Sequence, residues 1–230
     1  MLNFVRPVGE SVCLRAGPKP EAYSGYRMQL LGSGTMALQG ALEQVKSRSN
    51  AISPEVIIPA YACPDLISAC VGAGVKPILV DLEESSPFPS IDNIDAAISA
   101  QTIGLLLVNF LGISPPKALF EHAHACDLTV IEDRAQGFVA PSCADCLKGD
   151  YIIFSFGKGK PVSLLAGGAL LVRESLGHTK LKHVKSSTKP NRFQLKLKMA
   201  LYNLVIQPFF LVSFCIQPAH QHFQAFQRLV

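Results

Sequence analysis

The 230-residue chain has no low-complexity segment and no internal repeat, and its 17 glycines and 16 prolines are spread along the sequence. With 49% hydrophobic and 17% charged residues it has a globular composition, which excludes a disordered or collagen-like chain. Its length suits one large domain, or one domain with part of a second. The opening residues MLNFVRPVGES lack the apolar core that a secretory signal needs. The seven cysteines (Cys13, Cys63, Cys70, Cys126, Cys143, Cys146, Cys215) are odd in number and lack the spacing of a disulfide framework. Both absences point to a reducing cytoplasm. Cys143 and Cys146 make a single C-x-x-C with no second pair downstream, so no zinc finger is expected.

Charge is unevenly distributed. Residues 173–198 hold eight Lys/Arg (Arg173, Lys180, Lys182, Lys185, Lys189, Arg192, Lys196, Lys198) against Glu174 alone; that stretch carries +7 of a net +4 and leaves −3 for the rest. It lacks any nucleic-acid recognition motif or interleaved aromatic platform, and it reads as a solvated basic connector, with no nucleic-acid partner. In residues 199–216, 14 of 18 are apolar, and no charged side chain follows until Arg228. Asn203, Gln207, Pro208 and Ser213 interrupt the run, so buried helices are expected in preference to a membrane span. Phe193, Leu197, Leu201, Leu204 and Val205 fall at helical spacing and form an apolar stripe that requires a cover.

Between residues 30 and 173, short β-branched runs alternate with helical stretches, which predicts an α/β domain with a largely parallel sheet. The expected strands are residues 56–59, 77–81, 104–110, 129–133, 151–156 and 168–173. Each is a nearly continuous apolar run, as in strands covered on both faces. The expected helices are residues 35–46, 64–71, 91–100 and 116–126, with Ser90 capping the third and Pro116 suited to the first turn of the fourth. Ligands in such sheets collect beyond the carboxyl ends of the strands. The domain organisation follows as an arm (1–29), a large domain (30–173), a basic connector (174–198) and the start of a further helical domain (199–230).

Three motifs lie at that edge. Gly32-Ser33-Gly34-Thr35 opens the first helix with small residues and a hydroxyl, a phosphate cradle in type and also an ordinary helix cap. Asp133, within Ile131-Glu132-Asp133-Arg134-Ala135-Gln136, stands at a strand end where a carboxylate can hold a cationic ring nitrogen or cap the next turn. Phe154-Ser155-Phe156-Gly157-Lys158-Gly159-Lys160-Pro161 places two lysines in a glycine-bearing loop, and a desolvated lysine is a nucleophile. Anion cradle, carboxylate and amine together suit a phosphorylated, cationic, aldehyde-bearing ring such as pyridoxal phosphate.

The order of Ser33-Gly34-Thr35, Ile58-Pro59-Ala60-Tyr61, Val80-Asp81, Ile131 to Gln136, Phe154-Ser155-Phe156 and Gly167-Gly168 resembles the DegT/StrS sugar aminotransferases, over about residues 30–173. The resemblance implies the large domain of a fold-type I pyridoxal-phosphate enzyme, a mostly parallel sheet with helices on both faces, followed by an incomplete C-terminal small domain. It implies pyridoxal 5′-phosphate as cofactor, with phosphate contacts at Thr35, Met36 and Ser155. Asp133 would lie on the ring nitrogen, Gln136 near the ring hydroxyl, and Lys160, five residues after Ser155, would carry the cofactor. Cys63 stands where many members have the aromatic residue that stacks on the ring, with Tyr61 as the other stacking candidate. Asn109 stands where a histidine is common. The implied activity is transfer of an amino group from a donor such as glutamate to a keto sugar, nucleotide-linked, for cell-surface or polysaccharide sugars, in a cytoplasmic homodimer. The alternatives are a truncated, catalytically impaired relative with a binding or structural role, and a membrane-associated protein held by residues 199–216.

Overall fold

Aliphatic residues occupy adjacent positions along the central strands, and period-two pleating sends neighbours to opposite faces. In the computed structural model, which describes residues 22–177 and 192–207, seven strands form one sheet: β1 (Tyr26–Leu31), β2 (Glu55–Pro59), β3 (Lys76–Val80), β4 (Thr102–Val108), β5 (Thr129–Asp133), β6 (Tyr151–Ser155) and β7 (Gly168–Arg173). Their order is β1-β7-β6-β5-β4-β2-β3. The pairings from β6 to β3 are parallel, and β7 is antiparallel to both β6 and β1.

Ile58, Leu106, Ile131 and Ile153 face α1 (Gly34–Ser47) and α2 (Asp65–Ala73). Their neighbours Ile57, Leu105, Leu107 and Val130 join Ile94 of α3 (Ile91–Ala97) and Leu119, Phe120 and Ala123 of α4 (Lys117–Ala125) on the other side. On β6, Ile152 and Phe154 pack with Tyr23, Tyr26, Ala144 and Leu147. Both faces of the sheet are thus covered, as the continuous apolar runs require.

Four features differ from the sequence reading. Strand β1 begins at Tyr26, so residues 26–29, assigned above to an arm, form an edge of the sheet paired with β7; its Arg27 and Gln29 break the apolar run by which the other strands are recognised. Helix α3 stops at Ala97 because polar side chains capture the backbone: Thr102 Oγ1 accepts from Ser99 N at 2.9 Å, and Ser99 Oγ from Gln101 N at 3.1 Å. Strand β4 stops at Val108, ahead of a turn in which Leu111 adopts φ 52°. Edge strand β3 is only partly covered, with Leu79 54% exposed. Ser90 caps α3 as expected, its Oγ accepting from Asn93 N at 3.1 Å.

The chain divides into two units, residues 19–187 and residues 1–18 with 188–230. In the second, α5 (Arg192–Val205) carries the apolar stripe; Phe193, Leu197, Leu201, Leu204 and Val205 are exposed, while Met199 is buried. Residues 192–198, assigned above to a connector, are helical. Among the described residues no helix is long and apolar enough to cross a membrane. The arm up to residue 21, connector residues 178–191 and apolar residues 208–230 lie outside the described residues.

Candidate active site

The carboxyl ends of β2, β4, β5 and β6 and the N-terminus of α1 surround two adjoining cavities that share Cys63, Asp133, Ala135 and Lys160. Gly34, Thr35 and Ser155 line the first, and Tyr61, Phe110 and Gln136 line the second, which holds about 280 Å³. That volume lies near the lower end of small-molecule sites, about 300–1,000 Å³.

The α1 end is built by close packing. A Cβ on Gly34 would lie 2.7 Å from Ser155 Cβ, and one on Gly168 would lie 2.5 Å from the Ser33 carbonyl. Only glycine at these positions lets the helix start abut β6 and β7. The first N–H groups of a helix lack intrahelical acceptors. Met36 N–H is taken by the Ser33 cap at 3.1 Å, and Gly34 and Thr35, the other two residues at the helix start, line the cavity. Ser33 and Met36 lie off the wall: Ser33 acts as the cap, and Met36 packs against the core. Thr35 Oγ1 donates to Asp65 Oδ2 at 3.2 Å. Asp65, on the first turn of α2 and on the wall, escaped the sequence reading; a carboxylate at a helix start after a strand end was its available signal.

Asp133 ends β5 and is buried, with Oδ1 accepting from Ala135 N at 2.8 Å. Burial pushes its carboxyl above the ordinary range, while the Ala135 N–H and the Lys160 charge pull it back. Lys160 is half-buried on the wall of both cavities, whereas Lys158 is exposed and lines neither. Gln136 Oε1 accepts from Leu111 N at 2.7 Å. The Tyr61 ring packs on Phe110, centroids 5.5 Å apart. Phe110, a second wall aromatic, was also missed; a loop after a strand end was its only mark.

Behind the wall, Glu132 is buried in a set of four donors. Oε1 accepts from Arg134 Nη1 at 2.5 Å and Asn109 Nδ2 at 3.2 Å, and Oε2 accepts from the backbone of Lys148 and Gly149 at 3.0 and 3.1 Å. Asn109 is fully buried, and Ser114 Oγ donates to its Oδ1 at 3.0 Å. It is a framework residue supporting the strand end that carries Asp133.

A model of the DegT/DnrJ/EryC1/StrS aminotransferase family matches residues 22–204. Protein Rv3402c of Mycobacterium tuberculosis is 28% identical over 153 residues, covering 63% of this chain and 37% of its own length. The dTDP-4-amino-4,6-dideoxy-D-glucose transaminase of Shigella dysenteriae is 27% identical over 163 residues, 69% of this chain and 43% of its own. The chain therefore spans less than half the length of these curated relatives. Among solved structures, the aminotransferase from Psychrobacter cryohalolentis superposes with TM-score 0.58 at 20% identity, covering 77% of this chain and 52% of that one. NtdA of Bacillus subtilis, with its cofactor PMP bound, gives TM-score 0.56 at 24% identity, covering 72% and 40%. These likenesses carry the fold.

Proposed function

Because the chain belongs to the DegT/DnrJ/EryC1/StrS aminotransferase family, we propose that it binds pyridoxal 5′-phosphate at the strand ends and serves amino transfer to a keto sugar. A nucleotide-linked sugar is the acceptor and glutamate the donor in this reading, which takes its substrate class from relatives such as the Shigella transaminase. Homodimeric assembly and residence in the cytoplasm complete it, on the family resemblance and the cysteine pattern.

The observation that carries the proposal is the joint presence of Asp133 and Lys160 on both cavity walls, with the α1 start beyond them. The residues fit the cofactor. Asp133 is a carboxylate whose ionisation burial opposes, and a ring N–H cation beside it would supply the missing partner. The glycine-permitted approach of α1 to Ser155 brings the helix start and the Ser155 hydroxyl together as an anion cradle.

When bound, the cofactor supplies the electron sink for the substrate carbon and carries the amino group between donor and acceptor. Asp133 would keep the ring nitrogen protonated. Lys160 Nζ would be the amine that holds the cofactor and the base placed to move a proton at the substrate carbon. Gly34 and Thr35 N–H with the Ser155 hydroxyl would hold the phosphate, the Thr35 hydroxyl being committed to Asp65. Tyr61, braced by Phe110, would cover the ring beside Cys63, and the Gln136 amide nitrogen, its oxygen being committed to Leu111, would donate to the ring hydroxyl.

Borohydride reduction of the full chain with cofactor, followed by peptide mapping, tests the assignment. A pyridoxyl group on Lys160 is expected, and Lys158→Ala should leave it in place. Label on Lys158, or on neither lysine, overturns the reading.

A further inference from the structure

A second cluster lies at the opposite edge of the sheet. Helices α3 and α4 precede β4 and β5, so both end at the amino edge of the parallel strands, away from the cofactor cavity. Their last turns bring together Asp95 of α3, His122 of α4 and Cys126, the residue capping α4. His122 Nε2 lies 2.6 Å from Asp95 Oδ1 and 3.7 Å from Cys126 Sγ, and the three ligand atoms all lie within 4.8 Å of one another.

Both partners meet the same ring nitrogen. A catalytic relay uses the two nitrogens of a histidine separately, one toward the nucleophile and one toward the carboxylate. Here the donors converge on one point, as ligands do around an ion. With Zn–N, Zn–O and Zn–S bonds of about 2.0–2.3 Å, the edges of a tetrahedral site are about 3.3–3.7 Å. The Cys126–His122 separation already matches such an edge, the Asp95–His122 separation is within about 1 Å of one, and Asp95, whose side chain is 50% exposed, has room to adjust. Imidazole, thiolate and carboxylate together suit zinc rather than calcium or magnesium, which take oxygen ligands.

We propose that Asp95, His122 and Cys126 form a zinc site that ties α3 to α4, with water at the fourth position. Binding releases the Cys126 thiol proton to solvent, and His122 gives up the Nε2 hydrogen bond to Asp95 and ligates as a neutral imidazole with its ring proton on Nδ1. The site does not depend on the proposed activity, and its readouts are independent of the cofactor.

The test is titration of the full chain, first stripped with a chelator, with Co²⁺ and then Zn²⁺. One Co²⁺ per chain is expected, with the intense visible absorption of a four-coordinate thiolate site, displaced by Zn²⁺. Cys126→Ser should abolish this spectrum, and Asp95→Asn, a change at a half-exposed side chain, should weaken binding at least tenfold. The double variant Cys143→Ser/Cys146→Ser should retain it. Zn²⁺ should also raise the melting temperature of the parent chain more than that of Asp95→Asn. A spectrum that survives Cys126→Ser, one lost with Cys143 and Cys146, a weak six-coordinate spectrum, or no bound metal overturns the site.

Discussion

Burial holds the Asp133 carboxyl above its ordinary value of 3.8. A group raised in the folded state contributes fully to stability below its unfolded pKa, and that contribution is lost as pH rises through the folded value. At neutral pH Asp133 therefore strains the cofactor-free fold. Asp133→Asn keeps an acceptor for Ala135 N–H and removes the charge, so it should melt higher than the parent at pH 7 without cofactor. Melts at a series of pH values should show the two converging below about pH 4; a variant that melts lower at pH 7 contradicts the argument. Replacing Glu132, the preceding residue, should instead destabilise the fold, because its carboxylate holds four donors. Glu132→Ala strands the buried Arg134 cation and should cost about 3–5 kcal/mol by denaturant unfolding. Sequence position alone does not separate these two adjacent acids; the difference lies in what each faces after folding.

Elements with one strong local cause were legible beforehand. Strands β5 and β7 have the expected bounds because apolar runs meet polar ends at Asp133 and Arg173. Helix α2 extends beyond residue 71 to Ala73 because Gly74, at φ 64°, sets its end. Topology put Asp133 and the loop of Lys158 and Lys160 at the strand ends, and the family resemblance singled out Lys160. Asp65 and Phe110 were not legible, since they join the site only when separate strand ends converge. His122 and Cys126 are one turn apart on α4, but Asp95 reaches them from another helix. The meeting of α1 with β7 depends equally on contacts distant in sequence. A Cβ at Gly168 would also approach Gly34 N at 2.6 Å, so Gly168→Ala should push the helix start away. We expect a stability loss of about 1–3 kcal/mol, together with weaker cofactor binding, measured by unfolding and by spectrophotometric titration.

For the molecule as a whole, the two sheet edges set different limits. On the β1 edge, Tyr26 donates its hydroxyl to Gly149 O at 2.9 Å. Burial pushes the phenol up to about 12, against the pull of Arg173. Its contribution to stability is complete below about pH 10, the unfolded value, and falls as pH rises toward 12. Tyr26→Phe should cost about 1 kcal/mol at neutral pH and flatten the alkaline decline, as followed by melts from pH 8 to about 12. Among the described residues no strand pairs with the outer side of β3. Lys76 N and Val80 O both bond toward β2, Lys76 to Pro54 O and Val80 from Ala60 N. Alternation then turns the backbone of Pro77 and Leu79 outward. Proline has no N–H to offer, so one of the two outward donors is missing where a strand from another molecule would dock. Pro77 thus acts as a guard against edge-to-edge aggregation and fibril growth. A residue with a free N–H at position 77 would complete that template and let copies of the chain stack through their sheets.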